Sequence, residues 1–395
     1  MNTLQAAMVA AAMATASATA ADAQKYTATA PQLGPKGGVV AFDSVPDGNY
    51  RVRVVLGGSE ASSTVVRAES RRLLADSHDL EAGRTQALTF MVNKRDTLIA
   101  PGRCVRIKPR ERSKLNWDSR LTIEFAGKAP AVVSVEAERV EGVPTVFLCG
   151  NSTVVDQDNE PWASWGQMLP RLLDSTVCVA NYGESGESSN TFIAARRLEK
   201  IGTQIKAGDY LFVEFGHNDE KQRGDDKGPY KHFTQSLRQY IDLARSAGAT
   251  PVLVTPTQRR KFADDGRLAD THGEFPEAVR ALARAEGVAL IDLTEMTTRL
   301  YEALGDEGSK RAFVHYPAGT YPGQSSPLAD NTHFNPYGAM QIAKCIVEGI
   351  RAAGLPLAQR LAPDYRPYDP AHPDSADAFE WFDAPNVEME KPDGN

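Results

Sequence analysis

Four short stretches of this 395-residue chain carry side chains that could together run acyl transfer. Gly150-Asn151-Ser152-Thr153 follows an apolar run at 145–149, and its small residues let the chain turn sharply and expose a hydroxyl. Asn181-Tyr182-Gly183-Glu184-Ser185-Gly186 follows a second run at 177–180, where glycine lets a backbone N–H approach a ligand closely. Gly216-His217-Asn218-Asp219 follows a third run at 210–215 and offers the Asn218 amide as a donor. Asp330-Asn331-Thr332-His333 stands just before the last helical segment, where a carboxylate could orient an imidazole and stabilise its cation. The chemistry would be Ser152 as nucleophile, His333 as base and Asp330 as orienting group. The Ser152 N–H, the Gly186 N–H and the Asn218 amide would hold the oxyanion, each donor typically worth about 10²–10³ in rate. Singly, each stretch has a plain alternative: Gly-Asn-Ser is usually only a turn, and Asp-x-x-His is common by chance. Their order, with three of them directly after predicted strands, carries the argument.

The elements that must position them follow from hydrophobic patterning. Runs at 145–149, 177–180, 210–215, 251–255 and 288–292 lack polar alternation, as parallel strands covered on both faces do. Amphipathic stretches lie between them. Trp165, Met168, Leu169, Leu172 and Leu173 share a helical face behind a predicted Ser164-x-x-Gln167 capping box. Phe233, Leu237, Tyr240 and Ile241 share another, ending near Gly248, and Asn335-Pro336 opens the last helix. This β-α alternation predicts a doubly wound α/β domain over 143–360, with its ligand site at the carboxyl ends of the strands. Residues 25–140 read differently. Short Val-, Thr- and aromatic-rich runs at 39–45, 50–56, 63–68, 87–92, 121–125 and 132–139 predict an all-β sandwich, jelly-roll-like. A Pro- and Asp-rich tail, 365–395, is expected to wrap the surface or stay disordered.

Composition sets outer bounds. Charged residues are 24%, hydrophobic residues 42%, and the formal net charge is −7, which argues against nucleic acid or an anionic membrane as partner. Residues 1–23 hold no Lys or Arg, are rich in Ala, Met, Ser and Thr, and offer small-x-small cleavage sites. They read as a signal peptide, so a secreted or periplasmic protein is expected. Later apolar runs are too short to span a bilayer. Cys104, Cys149, Cys178 and Cys345 are scattered without CxxC, so a zinc site is not expected, and Cys149 and Cys178 read as buried thiols. Asp156-Gln157-Asp158-Asn159-Glu160 lacks the glycine and distal Glu of a calcium loop and reads as a polar loop.

Taken together, Gly150-Asn151-Ser152, Asn181 through Gly186, Gly216-x-Asn218-Asp219 and Asp330-x-x-His333 resemble the four blocks of the SGNH (GDSL-type) hydrolases. The stretches at 150–154, 160–167, 215–219 and 330–335 resemble the rhamnogalacturonan acetylesterase branch, over roughly 143–356. The resemblance implies a flavodoxin-like doubly wound parallel sheet and a serine carbohydrate esterase that removes acetyl groups from pectic rhamnogalacturonan without cofactor or metal. Its partner would be an acetylated polysaccharide or oligosaccharide. His217, His272 and Arg259 are candidate contacts to an acidic sugar, and the run Arg259-Arg260-Lys261 could form a local basic patch. Trp162 could stack on sugar, whereas Trp165 falls on the apolar helix face. In the β region, Trp117 reads as a sugar contact or a packing residue. The family usually carries Asp immediately before the nucleophile, and this chain has Asn151, which removes a negative charge beside Ser152. Two alternatives stand beside the main expectation. One is an acetyl-xylan or other SGNH esterase. The other is a carbohydrate-binding protein with a degenerate active site.

Overall fold

The computed structural model describes residues 25–29, 31–34, 36–383 and 393. The leader expected at 1–23 and most of the chain beyond 383 lie outside the described residues.

Five strands pair in parallel in the spatial order Cys178–Asn181, Thr145–Gly150, Tyr210–Glu214, Thr250–Val254 and Ala289–Ile291. In chain order this is 2-1-3-4-5, the flavodoxin-like arrangement, with its switch point beside the first strand. Alternation along each strand sends side chains to opposite faces. Val146, Leu148, Tyr210 and Phe212 enter one core, which is closed by the helices Trp165–Met168, Leu293–Ser309 and Pro336–Ala352. Phe147, Cys149, Leu211 and Val213 enter the other, closed by Thr234–Ser246 and Phe275–Glu286. That double cover is why these strands show no polar alternation.

Two four-stranded antiparallel sheets precede this α/β unit. One runs in the order Lys25–Thr29, Val132–Val140, Gly48–Gly57, Thr85–Lys94, and the other Gly38–Phe42, Leu121–Ala129, Ser62–Ala68, Arg72–Leu80. Tyr50, Val52, Val54 and Leu56 point inward while Arg51 and Arg53 face solvent, and the inward residues of both sheets form one shared core. Two of these strands were not anticipated. Arg72–Leu80 hides its strand character behind Arg, Asp and His, and Lys25–Thr29 precedes the first apolar run.

The tail lies on the surface as far as residue 383. Tyr337 donates to the Asp374 carbonyl at 2.6 Å, the Phe379 and Trp381 rings stack, and the Arg67 guanidinium sits 3.9 Å from the Trp381 ring centre. Such aromatic and cation–π contacts fix a segment that has little regular structure of its own.

Candidate active site

The parallel register brings the four predicted stretches to one rim. Ser152 and His333 are 181 positions apart, yet His333 Nε2 lies 2.9 Å from Ser152 Oγ. His333 Nδ1 lies 2.8 Å from Asp330 Oδ2. The other carboxylate oxygen accepts the Thr332 and His333 N–H groups at 2.9 and 3.0 Å. Burial pushes the Asp330 carboxyl up, but the His333 ring and those N–H groups outweigh it and hold the group well below the usual carboxylate range. Sequence patterning places Asp330 and His333 in a loop. They belong instead to a strand, Leu328–Phe334, paired antiparallel with Phe313–Tyr316. The pairing jumps from Val314↔Asp330 to Phe313↔Phe334, so residues 331–333 form a bulge, a device that commonly re-aims side chains beside active sites.

The nucleophile turn is held from beneath. Gly150 is obligatory, since a Cβ there would sit 2.3 Å from Val154 Cγ2. The predicted capping box is absent: Ser164 Oγ donates to the Ser152 carbonyl at 2.6 Å, joined by Gln157 Nε2 at 2.9 Å. Gln167 reaches the Ser70 and Gln157 carbonyls instead, and the helix it was to open is a single turn, Trp165–Met168. Asn151 Oδ1 accepts from the Thr153 N–H and hydroxyl at 3.0 and 2.8 Å, the side-chain-to-backbone turn that a carboxylate would also make. Its Nδ2, fully buried, has no acceptor among the described residues. Below it, Glu214 is fully enclosed, with Oε1 lying 2.9 Å from Thr153 Oγ1 and Oε2 accepting from Trp165 Nε1 at 2.5 Å. Burial raises its pKa to about 7 against those hydrogen bonds. Trp165 is therefore core, as its helical face indicates, and Trp162 is buried rather than offered to a sugar.

The predicted oxyanion donors sit on linked loops. The Glu184 N–H donates to the Gly150 carbonyl at 3.1 Å, tying the second loop to the strand end before Ser152. Asn218 Nδ2 donates to the Glu187 carbonyl at 2.9 Å, tying the third loop to the second. One amide proton of Asn218 remains over, and the Ser152 and Gly186 N–H groups have no protein acceptor among the described residues. Gly186 has φ +77, a conformation that favours glycine. Asp219 accepts both the Ser189 N–H (3.0 Å) and its hydroxyl, fixing the start of the helix Ser189–Ala194.

The predicted sugar contacts fare differently. His272 is not available to a ligand: Nδ1 lies 2.8 Å from Glu220 Oε2, and Nε2 lies 2.8 Å from the Thr257 carbonyl. Arg259 is paired with Glu220 at 2.5 Å and donates to the His217 carbonyl at 3.3 Å. Arg260 pairs with Asp306 and donates to Asn331 Oδ1 at 3.1 Å, so both arginines of the run are engaged in internal ion pairs that brace the third and fourth loops, while Lys261 is exposed. His217 alone keeps both ring nitrogens unpartnered among the described residues, buried against the His272 ring at 4.7 Å. Burial, then the charges of His272, Arg259, His333 and Lys221, push its pKa well down and keep it neutral.

A set of side chains that sequence patterning missed comes from the β-sheet part. Asp156, Asp158 and Glu160, read above as a polar loop, pair with Arg72, Lys114 and Arg71 at 2.8, 3.1 and 2.5 Å. The i, i+2, i+4 spacing of the acids is the available signal, because in extended chain it puts all three on one side. Arg95, enclosed between the Trp117 and Tyr182 rings at 4.7 and 4.6 Å, donates to the Asn181 carbonyl. Trp117 thus packs at the junction rather than facing solvent. Among the described residues no cluster of His, Cys, Asp and Glu could hold a metal ion, and all four cysteines are free thiols.

A buried Ser-His-Asp constellation at the carboxyl rim of a parallel sheet defines a class, the hydrolases that work through an activated hydroxyl. Residues 148–340 match the profile of the GDSL-like Lipase/Acylhydrolase family. The rhamnogalacturonan acetylesterase RhgT of Bacillus subtilis (strain 168) is 46% identical over 218 residues, 55% of this chain and 93% of that protein. The probable rhamnogalacturonan acetylesterase YesY of the same strain is 34% identical over 219 residues, 55% of this chain and 96% of that protein. The crystal structure of YxiM from Bacillus subtilis shares the fold over 84% of this chain and 81% of its own, at a TM-score of 0.50 and 21% identity. The chain belongs to the GDSL-like lipase/acylhydrolase family and is a carboxylic ester hydrolase.

Proposed function

We propose that this protein removes acetyl groups from a plant cell-wall polysaccharide, pectic rhamnogalacturonan, and that it works as a secreted enzyme. The observation that carries the reading is the continuous chain of hydrogen bonds from Ser152 through His333 to Asp330. The substrate rests on the two relatives named for rhamnogalacturonan acetyl ester cleavage. Export rests on the Ala-rich leader at 1–23. The two four-stranded sheet orders support the jelly-roll-like reading of residues 25–140 as an accessory domain.

In the proposed reaction His333 Nε2 takes the Ser152 proton as Oγ attacks the acetyl carbonyl carbon. Negative charge collects on the carbonyl oxygen, held by the Ser152 N–H, the Gly186 N–H and the free Asn218 amide proton. Asp330 stays ionised and balances the imidazolium. The carbon–oxygen bond to the sugar then breaks, and His333 returns its proton to the departing sugar hydroxyl. Water attacks the acetyl-enzyme while giving a proton to His333; Ser152 recovers that proton and acetate leaves. No step calls on a cofactor. His217, whose ring nitrogens have no partner among the described residues, is the candidate contact to a sugar hydroxyl.

The assembled triad, with Asn151 oxygen supporting the turn as a carboxylate would, favours catalysis over the binding-only alternative. Acetate release from acetylated rhamnogalacturonan, homogalacturonan and xylan, by wild type and Ser152→Ala, tests the assignment. The expected result is fastest release from rhamnogalacturonan and none from the variant. Equal rates for wild type and variant would sink the nucleophile, and fastest release from xylan would sink the substrate.

A further inference from the structure

The Ser185–Gly186 peptide carries the proposed oxyanion donor on one side and two cations on the other. Lys108 Nζ donates to the Ser185 carbonyl at 2.5 Å, and Arg110 Nη2 donates to the same oxygen at 3.3 Å. Both cations lie on the segment just before the strand Leu121–Ala129 of the β-sheet part, far in sequence from the loop they bind. Acids hold them in place: Glu187 lies 3.2 Å from Lys108, and Glu184 pairs with Arg110 and, at 3.3 Å, with Lys114. Asp393 adds a carboxylate 3.4 Å from Arg110 Nε. Burial disfavours ionised Glu184, yet Lys114, Arg197, Arg110 and Lys108 outweigh it and bring its pKa down to about 2. A Cβ at residue 186 would lie 2.9 Å from Asp393 Cβ and 3.1 Å from Lys108 Nζ, so the cation is packed closely against the loop at this glycine.

In a trans peptide the C=O and N–H point in opposite directions. Cations seated on the Ser185 oxygen therefore leave the Gly186 N–H directed away from them, and that N–H has no protein acceptor among the described residues. Charge on the oxygen also draws electron density along the peptide and makes its N–H a stronger donor, an effect that low local dielectric amplifies. Two peptides further on, the Glu187 carbonyl is fixed by Asn218, so the loop is held on both sides of Gly186.

We propose that Lys108 and Arg110 are positioning residues through which the β-sheet part of the chain orients and polarises the oxyanion donor of the esterase site. The proposal rests on the reading of Gly186 as that donor. Neither cation touches the ester.

The test uses the full chain and three readouts: kcat and KM for acetate release, the thermal midpoint, and the affinity of an alkylboronic acid, whose adduct with Ser152 presents an oxyanion. Lys108→Met is expected to lower kcat by about 10-fold, less than the loss of a whole donor, with KM within about 2-fold. Boronate affinity should fall in proportion, and Lys108→Arg should restore most of both. If Lys108→Met shifts the thermal midpoint, Lys108→Gln serves in its place: it keeps a neutral donor to Ser185 and should still lose kcat. An unchanged kcat overturns the proposal, as does a lower kcat with unchanged boronate affinity or without rescue by arginine. Wild-type activity that survives Ser152→Ala would overturn the underlying assignment instead, so the two failures are distinct.

Discussion

Arg72 of the sandwich and Asp156, four residues beyond Ser152, form an ion pair closed to 2.8 Å with both side chains essentially enclosed. The second oxygen of Asp156 accepts Asn181 Nδ2 at 2.8 Å, so the carboxylate that Arg72 holds joins the first two active-site loops. Removing one partner of such a pair leaves an uncompensated buried charge. Arg72→Met is therefore expected to cost about 3–5 kcal/mol of stability. The exposed pair Lys25–Glu136 should yield less than about 1 kcal/mol on Lys25→Met. Urea unfolding of both variants checks the contrast, and equal losses would contradict it.

Asp330 gives His333 its orientation and its counter-charge. Because its carboxyl stays ionised down to strongly acid pH, Asp330→Asn removes charge throughout the working range. The expected fall in kcat is on the order of 10³–10⁴-fold with KM little changed. Steady-state kinetics near neutral pH measure it, and a fall below about 10-fold would assign Asp330 a packing role only.

Asn218 has two duties, holding the Glu187 carbonyl and presenting a second amide proton. Asn218→Ala loses both. A reduction in kcat of about 10²–10³ is expected, with a wild-type fluorescence spectrum showing the fold intact. Undiminished kcat would remove Asn218 from the oxyanion site.

Glu214 should make stability fall as pH rises. Its folded pKa, raised to about 7, stands above the ordinary value of 4.5, so the folded state binds the proton more tightly. The stability it contributes is complete below about pH 4.5 and is lost as pH climbs through about 7. Glu214→Gln keeps the neutral form at every pH. Relative to wild type, the variant's urea midpoint should therefore be lowest near pH 4.5 and should gain as pH rises to about 8. Asp219, also pushed up to about 7 by burial, leaves a residual slope of the same sign in both proteins. A difference between the two proteins that does not vary with pH would refute the assignment to Glu214.

Much of this was legible in the sequence because chemistry and periodicity were local. The parallel strands announced themselves through unbroken apolar runs, and Asn335-Pro336 starts a helix as its cap chemistry predicts, with Asn335 Oδ1 accepting the Gly338 N–H at 3.0 Å. The rest depended on distant partners. Ser164 and Gln167 have the spacing of a capping box, but carbonyls of the nucleophile loop compete for them and win. Arg259 and His272 read as free cleft groups because Glu220, which binds both, is far from them in sequence. Arg71, Arg72, Lys108, Arg110 and Lys114 carry no motif at all. Their role comes from acids some 45 to 90 positions away, which only the packed sandwich brings within reach.

Covalent capture shows whether Ser152 is the nucleophile. The full chain is treated with a fluorophosphonate and the modified peptide is located by mass spectrometry. One adduct is expected, on Ser152, formed at a rate that Asp330→Asn greatly slows. An unlabelled protein that still releases acetate, or an adduct on another residue, would contradict it.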